Sequence, residues 1–234
     1  MLGERCSGTN YVAQLLRRNA FWLRLTDQHG WKHGFCEEVG GPASDTLFVL
    51  VVRDPFDWAT SLWRTPWHAA QPLRDAAFSE FVRMEWECEW GRDMELAAND
   101  PRVGTEMVHE RDPLTGRRFL DVLALRAAKL RSCLALASRV QRFSVVRYED
   151  AAARPRELCA KLLGAHCVRR WPWFRAVRTW KGGAEPFVPK PRHAMSRADV
   201  LHVASRLDAS LERELGYDVD ARKDQLLAAA DGSI

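Results

Sequence analysis

Two apolar runs, separated by a long amphipathic stretch, dominate the hydrophobic pattern of the chain. Residues 47–52 form an uninterrupted run rich in β-branched side chains, which is typical of a strand buried on both faces of a parallel sheet. Residues 143–148 predict a second strand. The stretch between them predicts a long helix, because apolar residues recur there at three- and four-residue spacing: Leu120, Leu123, Ala127, Leu130, Leu134 and Ala137.

Start and stop signals predict two more helices in the C-terminal third of the chain. Pro155 suits the first turn of one helix, and Gly164 ends its apolar pattern. Ser196 is a candidate N-cap of another helix, with Asp199 in the first turn. This last helix carries a leucine stripe and ends at a glycine, through Leu207, Leu211, Leu215 and Gly216.

The alternation of strands and helices indicates an α/β fold with a central, mainly parallel sheet flanked by helices. The 234 residues, of which 47% are hydrophobic, suffice for a buried core and predict a single domain over residues 1–234. In such sheets ligands bind at the carboxyl ends of the strands. The residues that follow each strand are therefore the first candidates for a functional site.

Composition excludes several classes of protein. The net charge of +4 at pH 7 is too small for a general nucleic-acid coat, so we expect no nucleic-acid partner. The apolar run at 47–52 is far shorter than the ~20 residues of a transmembrane helix, and no signal-peptide pattern opens the chain. The cysteines form no C-x-x-C pair, which favours reduced thiols in a cytoplasmic protein and no metal site, with disulfides as the alternative.

Charge is distributed unevenly along the chain. Residues 85–112 hold nine acidic and three basic side chains, a local net charge of −6. We interpret residues 85–118 as an insertion on the substrate side, whose acidic residues form a solvated face or select a cationic acceptor. Residues 169–192 hold seven basic and one acidic side chain, a net charge of +6, and predict a basic loop. This loop is either a solvated surface loop or a cover for a bound anion.

A glycine-rich segment near the start of the chain has the pattern of an anion cradle. Residues 3–10 contain two glycines and small hydroxyl residues directly before a helical run, so backbone N–H groups and the helix dipole can converge on an anion. A nucleotide P-loop has lysine where Thr9 stands, which disfavours hydrolysis of ATP or GTP. An ordinary glycine-rich turn is the alternative interpretation.

Three further segments carry candidate chemistry. Lys32 and His33 precede the first predicted strand and can supply a cation and a general base, or be incidental charges of a surface loop. Arg53 follows that strand directly, where its guanidinium suits a phosphate, and Ser61 lies eight residues later. The alternative is a turn in which Arg53 pairs with Asp57. Tyr148, at the end of the second strand, can contact a base, although a buried strand tyrosine is commoner.

Taken in order, these segments resemble the sulfotransferase family that uses 3′-phosphoadenosine 5′-phosphosulfate (PAPS). The resembling motifs are G-x-x-x-S-G-T-x at 3–10, K-H at 32–33, V-R-D-P-x-D-x-x-x-S at 52–61 and Y-E-D at 148–150, and the segment 211–217 looks like the closing helix of the family. The resemblance implies a three-layer P-loop-type fold. The nucleotide-binding residues that it implies are Ser7, Gly8, Thr9 and Asn10 for the 5′-phosphate, Arg53 and Ser61 for the 3′-phosphate, Tyr11 and Tyr148 beside adenine, and Lys181 and Gly182 as the remnant of an R-K-G element.

The resemblance also implies catalytic roles. Lys32 would contact the transferring sulfuryl group and His33 would be the base, although the family has K-x-H and this pair is adjacent. The family has a basic residue directly before S-G-T, where this chain has Cys6, so Arg5 is expected to assist the leaving phosphate instead. Only two residues precede the loop, so we expect that the sheet lacks a full first strand or that the sequence begins inside it.

The resulting prediction is a PAPS-dependent sulfotransferase that modifies a hydroxyl or amine of a small-molecule or glycan acceptor and needs no metal. The alternatives are a non-catalytic nucleotide-binding module of the same fold and a P-loop kinase for small molecules. Tryptophans that follow the Arg53 element are either an acceptor wall or core, and the pair at 86 and 90 is expected to pack along one helix. These tryptophans are Trp58, Trp63, Trp67, Trp86 and Trp90.

Overall fold

A computed structural model describes residues 1–36, 45–91, 96–97, 99–179, 186, 188 and 193–231. The described chain is a mixture of helices with two strands, in agreement with the α/β class. Short 3₁₀ helices cover Val108–Glu110 and Leu136–Ser138. The other elements, in chain order, are α1 (Thr9–Asn19), β1 (Phe48–Val52), α2 (Pro55–Arg64), α3 (Gln71–Asp75), α4 (Phe78–Phe81), α5 (Val122–Ala135), β2 (Phe143–Arg147), α6 (Tyr148–Ala153), α7 (Pro155–Ala165), α8 (Arg197–Arg206), α9 (Ala209–Glu214) and α10 (Val219–Asp231).

The two predicted strands form a small parallel sheet. β1 and β2 pair in register from Phe48 opposite Phe143 to Val52 opposite Arg147, and every residue of β1 is buried. Leu2 forms a single parallel bridge on the other edge of β1. Its N–H donates to Val49 O at 2.8 Å and its carbonyl accepts from Val51 N–H at 2.9 Å. The chain therefore runs from one bridging residue straight into the glycine-rich loop.

Chain contacts divide the protein into two compact units. The first unit comprises Met1–Asp54 and Leu130–Pro191, and the second comprises Pro55–Lys129 and Arg192–Ile234. The prediction of one domain over residues 1–234 stays a prediction. In the first unit, α1 and α7 cover the sheet with apolar side chains, and the central members of this core are Val12, Leu15, Leu16, Val49, Val51, Leu162 and Leu163.

Two predicted helices differ from those observed. The amphipathic stretch forms α5, but Leu120 precedes the helix and is 72% exposed, and Ala137 is also exposed, so both ends of the predicted stripe are wrong. The helix predicted from Ser196 is two helices. The side chain of Asp208 caps α9 by accepting from Leu211 N–H at 3.1 Å, which interrupts the helix after Arg206. No helix among the described residues is long and apolar enough to cross a bilayer.

Candidate functional site

The glycine-rich loop is a tight turn between the Leu2 bridge and α1. Gly3 has φ of +140° and a Cβ there would lie 2.4 Å from Val51 O, so only glycine fits beside the strand. Cys6 has φ of +61°, an uncommon conformation for a residue with a side chain. The Ser7 hydroxyl donates to Glu4 O at 2.7 Å and is buried, so this hydroxyl is used inside the loop. The proton of the Ser7 hydroxyl is therefore directed to Glu4 O and not to an anion at the loop.

The amino terminus of α1 lacks a side-chain cap. Its N-cap residue, Gly8, has φ of +94° and supplies no side-chain cap, and the first turn contains no acidic residue. Val12 N–H makes the first bond of the helix, to Gly8 O at 3.1 Å, so the N–H groups of Thr9, Asn10 and Tyr11 have no acceptor within the helix. The helix dipole adds positive potential at this end. This arrangement suits a phosphate.

The Lys32–His33 turn is bonded to the glycine-rich loop through Gly3. Gly3 N–H donates to Lys32 O at 3.0 Å, and His33 Nδ1 lies 2.6 Å from Gly3 O. A carbonyl only accepts, so Nδ1 carries the proton, and the neutral ring keeps a lone pair on Nε2. Lys32 Nζ donates to Asn10 Oδ1 at 2.6 Å. The structure thus brings a candidate base and an ammonium group to the start of α1.

Arg5 lies on the glycine-rich loop, and its side chain points inward. Arg5 is only 4% exposed, and its guanidinium carbon lies 5.0 Å from the centroid of the Trp31 ring. Trp31 in turn meets the His33 ring edge-on, with centroids 5.5 Å apart. Arg5 therefore supports the turn that carries the candidate base.

Arg53 and Tyr148 pack against the opposite part of the loop. The Arg53 guanidinium carbon lies 5.0 Å from the Tyr148 ring centroid, and Arg53 Nη1 donates to Cys6 O at 3.1 Å. Tyr148 meets Tyr11 edge-on at 6.2 Å, and a Cβ on Gly8 would lie 2.3 Å from Tyr148 Cδ2. The two aromatic rings and the guanidinium thus border the start of α1.

Tyr11 is anchored on this aromatic border. Its hydroxyl donates to Ala151 O at 3.2 Å. Partial burial, and secondarily the neighbouring Tyr148, raise the pKa of the Tyr11 hydroxyl. Tyr11 is therefore a neutral hydrogen-bond donor at physiological pH.

Three predicted nucleotide contacts, Ser61, Lys181 and Gly182, are not described together with the loop and stay predictions. Ser61 is on α2, in the second unit. Lys181 and Gly182 lie outside the described residues. Within the second unit, Asp57 accepts from Arg222 Nη2 at 3.2 Å, and the alternative in which Arg53 pairs with Asp57 stays a prediction.

Two of the five tryptophans of the second unit belong to its core, and the other three are half-buried. Trp58 and Trp86 are almost fully buried, and Trp63 Nε1 donates to Ala76 O at 3.0 Å. Trp86 and Trp90 lie in an extended segment between short antiparallel bridges, so the expectation that they pack along one helix is wrong. The pairing of this segment with other extended chain, rather than helical periodicity, fixes its conformation.

The acidic segment is internally neutralised to a large extent. Glu106 pairs with Arg111 at 2.6 Å and with Arg118 at 2.9 Å, and Arg118 also pairs with Glu87 at 2.6 Å. The hydrogen bonds from Arg111 and then Arg118 lower the pKa of Glu106 to about 2. These carboxylates thus hold the segment together through ion pairs, a role that its composition alone does not indicate.

Sequence reasoning missed two buried ion pairs in the second unit and one cavity in the first. Arg126 pairs with Glu212 at 2.6 Å, and Lys129 pairs with Glu110, with all four side chains nearly inaccessible. Their signal was the presence of Arg126 and Lys129 three residues apart inside an apolar helix. The cavity is lined by the beginning of the basic segment, whose Arg- and Trp-rich composition was its signal.

Comparisons with protein-family models, with curated proteins and with solved structures gave no significant match. Within the part of the chain that the structure describes, no group of three or more His, Cys, Asp or Glu side chains is arranged to hold a metal ion. The chemistry of the site is therefore derived from its own residues: a helix amino terminus, a lysine, a histidine and an arginine beside two tyrosines.

Proposed function

We propose that the chain binds PAPS and transfers its sulfuryl group to a hydroxyl or amine of a small-molecule or glycan acceptor. The observation that carries this proposal is the amino terminus of α1, which lacks a side-chain cap and an acidic first turn, with Lys32 and His33 hydrogen-bonded to the same loop. We further propose the three-layer P-loop-type fold, supported by the parallel β1–β2 pair and by the Leu2 bridge that leads into the loop.

The nucleotide-binding part of the proposal distributes charge over the loop. The first-turn N–H groups of α1 would hold the 5′-phosphosulfate, because they are oriented donors at the positive end of a helix dipole. Arg53 would bind the 3′-phosphate, and Tyr11 and Tyr148 would border the adenine. Arg53 is already next to the loop through its bond to Cys6 O. To bind the 3′-phosphate, the guanidinium would either replace this carbonyl with a phosphate oxygen or donate to both.

The catalytic part of the proposal gives His33 the role of the base and Lys32 the role of stabilising negative charge. His33 Nε2 takes the proton of the acceptor hydroxyl or amine as the acceptor attacks sulfur in line with the leaving phosphate. The Nδ1–H bond to Gly3 O keeps the ring in the tautomer that has its lone pair on Nε2. Lys32 and the loop N–H groups stabilise negative charge on the transferring group and on the leaving phosphate. Catalysis then rests on positioning and electrostatics.

A nucleotide-binding module without turnover is the second candidate. Arg5 favours it, because its guanidinium lies on the Trp31 ring and its side chain is buried, so the charge expected to assist the leaving phosphate is turned away from solvent. Ser7 favours it as well, because its hydroxyl is used within the loop.

A cytoplasmic location completes the proposal, supported by six cysteines that all lie among the described residues and outside disulfides.

Thermal shift with adenosine 3′,5′-bisphosphate and with Mg-ATP tests nucleotide selectivity. We expect stabilisation by the bisphosphate, reduced in Arg53→Gln, and a smaller response to Mg-ATP. At a concentration of 100 times Kd the stabilisation would be about 2.7 kcal/mol. A response to Mg-ATP alone would instead identify a kinase-type nucleotide site and contradict the PAPS assignment.

Turnover of radiolabelled PAPS with a panel of phenol, amine and glycan acceptors separates the enzyme from the module. His33→Ala should lower the rate on the order of 100-fold while leaving the thermal shift by the bisphosphate intact. His29→Ala is the matched control, since His29 lies in the same segment but contacts Gln28 and Thr46. Bisphosphate binding without turnover on any acceptor would favour the module, and an unchanged rate in His33→Ala would remove the base assignment.

A further inference from the structure

The first unit contains a cavity of about 990 Å³ at the carboxyl end of α1. Such a volume is typical of sites for small organic ligands. α1 spans eleven residues, about 16 Å along its axis, so the cavity lies at the end of this helix opposite to the glycine-rich loop. The lining includes Phe21, Arg156, Arg169, Arg170, Trp171 and Trp173.

Flat aromatic faces form much of the cavity wall. The rings of Phe21 and Trp171 are 3.6 Å apart between centroids, with planes inclined by 35°. Trp171 and Trp173 are stacked, with centroids 5.8 Å apart and planes within 24° of each other. Trp173 is 53% exposed, so part of its ring is open to contact from outside. Aromatic faces of this kind stack on planar apolar groups.

Arginine side chains complete the wall. The guanidinium carbon of Arg169 lies 4.9 Å from the Phe21 ring centroid, and that of Arg156 lies 5.6 Å from Phe174. None of the described residues that line the cavity is Asp or Glu. Among the described residues, none of the arginines 156, 169 and 170 has an ion pair with a carboxylate. Their positive charge is therefore available to an anion, which the guanidinium binds with paired N–H donors.

The floor of the cavity is apolar and uncharged. Cys159 and Leu163 are buried there. Burial raises the pKa of the Cys159 thiol to about 11, against a smaller lowering effect of Arg170, so this thiol is protonated at physiological pH. Among the described lining residues, no negatively charged group thus opposes the approach of an anion.

The cavity is held in place by Asn19. Asn19 Oδ1 accepts from Arg175 N–H at 2.8 Å, and Asn19 Nδ2 donates to Leu15 O at 2.8 Å and to Arg175 O at 2.9 Å. Phe21 N–H also donates to Arg169 O at 2.8 Å. These bonds hold the backbone of the basic segment at Arg169 and Arg175 against the end of α1, so the chain that carries the cavity wall is anchored to this helix.

We propose that this cavity is a binding site for a compact aromatic anion, a molecule with a flat ring next to a sulfonate, sulfate, phosphate or carboxylate group. The stacked tryptophans would contact the ring, and Arg169 and Arg170 would bind the anionic group. The site is separate from the glycine-rich loop, so this inference stands independently of PAPS binding.

Isothermal titration calorimetry of the full chain with naphthalene-2-sulfonate tests the proposal. We expect one binding site, and an affinity about tenfold or more above that for 2-naphthol, which has the same ring without the anion. Saturation with adenosine 3′,5′-bisphosphate should leave the titration unchanged. The proposal would be overturned by absence of binding or by equal affinity for 2-naphthol. Displacement by the bisphosphate would also overturn it, because it would indicate that naphthalene-2-sulfonate binds at the glycine-rich loop.

Variants then assign the binding to the cavity. Arg169→Gln combined with Arg170→Gln should weaken naphthalene-2-sulfonate about tenfold or more, and Trp173→Leu should weaken both the sulfonate and 2-naphthol. Arg17→Gln is the matched control, because it removes one exposed arginine of α1 that does not line the cavity. If the double variant and the control bind the sulfonate equally, the arginines do not form the site and the proposal fails.

Discussion

Gly8→Ala introduces a methyl group where the first unit has no room for one. A Cβ on Gly8 would lie 2.3 Å from Tyr148 Cδ2 and 3.0 Å from Tyr148 Cε2. Gly30 has nearly the same φ, +96° against +94° for Gly8, but a Cβ there would meet nothing within 4 Å. The two substitutions therefore share the backbone strain and differ in the clash with the tyrosine ring.

The magnitude follows from these two contributions. A left-handed conformation costs a residue with a side chain about 1–2 kcal/mol, so Gly30→Ala should lower the free energy of unfolding by that amount. Overpacking adds about 1–3 kcal/mol, so Gly8→Ala should lower it by about 2–5 kcal/mol. The ring cannot relieve the clash without losing contacts, because Tyr148 packs against both Arg53 and Tyr11.

Urea denaturation followed by far-ultraviolet circular dichroism measures both losses. Repeating the comparison in a Tyr148→Ala background completes a double-mutant cycle. Without the ring, Gly8→Ala should cost no more than Gly30→Ala. Equal losses for the two glycines in the native background, or a Gly8→Ala loss that persists without the ring, would refute the packing of Tyr148 on the start of α1.

Three further outcomes follow from contacts in each unit. Arg126→Met should lower the free energy of unfolding by about 3–5 kcal/mol in urea denaturation, and adding Glu212→Leu should recover most of it, because the first change alone strands a buried charge. Folding lowers the pKa of Glu106 from 4.5 to about 2. Acidification through that interval should therefore lower the free energy of unfolding of the native protein more than that of the Glu106→Gln variant. Diamide, a thiol oxidant, should join Cys36 and Cys133, whose Sγ atoms lie 3.2 Å apart, and mass spectrometry after proteolysis should find that cross-link; no cross-link would contradict their proximity.

The sequence predicts both strands and the Ser196 cap, because these features depend on local signals. The apolar run at 47–52 and its partner at 143–148 form the parallel pair β1–β2, within one residue of the predicted bounds. Ser196 caps α8 by accepting from Asp199 N–H. In each case the determining feature lies within a few residues of the pattern that predicts it.

Predictions fail where distant chain or a competing local bond decides the outcome. The leucine stripe from Leu207 to Leu215 has helical spacing, but Asp208 captures an N–H group of the next turn and divides the helix. The spacing of Trp86 and Trp90 is also helical, yet antiparallel bridges to other segments keep that stretch extended. Periodicity carries no information about such partners.

The candidate site is predictable in its residues but not in their orientation. Motif order alone indicates that Lys32 and His33 belong with the glycine-rich loop, and the structure bonds both to it. The motif does not indicate that the Ser7 hydroxyl bonds to Glu4 O or that the Arg5 guanidinium lies on the Trp31 ring. The cavity at the far end of α1 depends on Asn19, a single polar residue.

Asn19 also determines how this part of the protein opens. Its side chain joins the last turn of α1 to the backbone on both sides of Arg175, and its own carbonyl accepts from Trp171 N–H at 3.1 Å. Fraying of the helix end therefore releases the segment around residues 171–175, and release of that segment exposes the helix end. In hydrogen-exchange terms the two form one cooperative unit, whose amide protons exchange with a shared opening free energy.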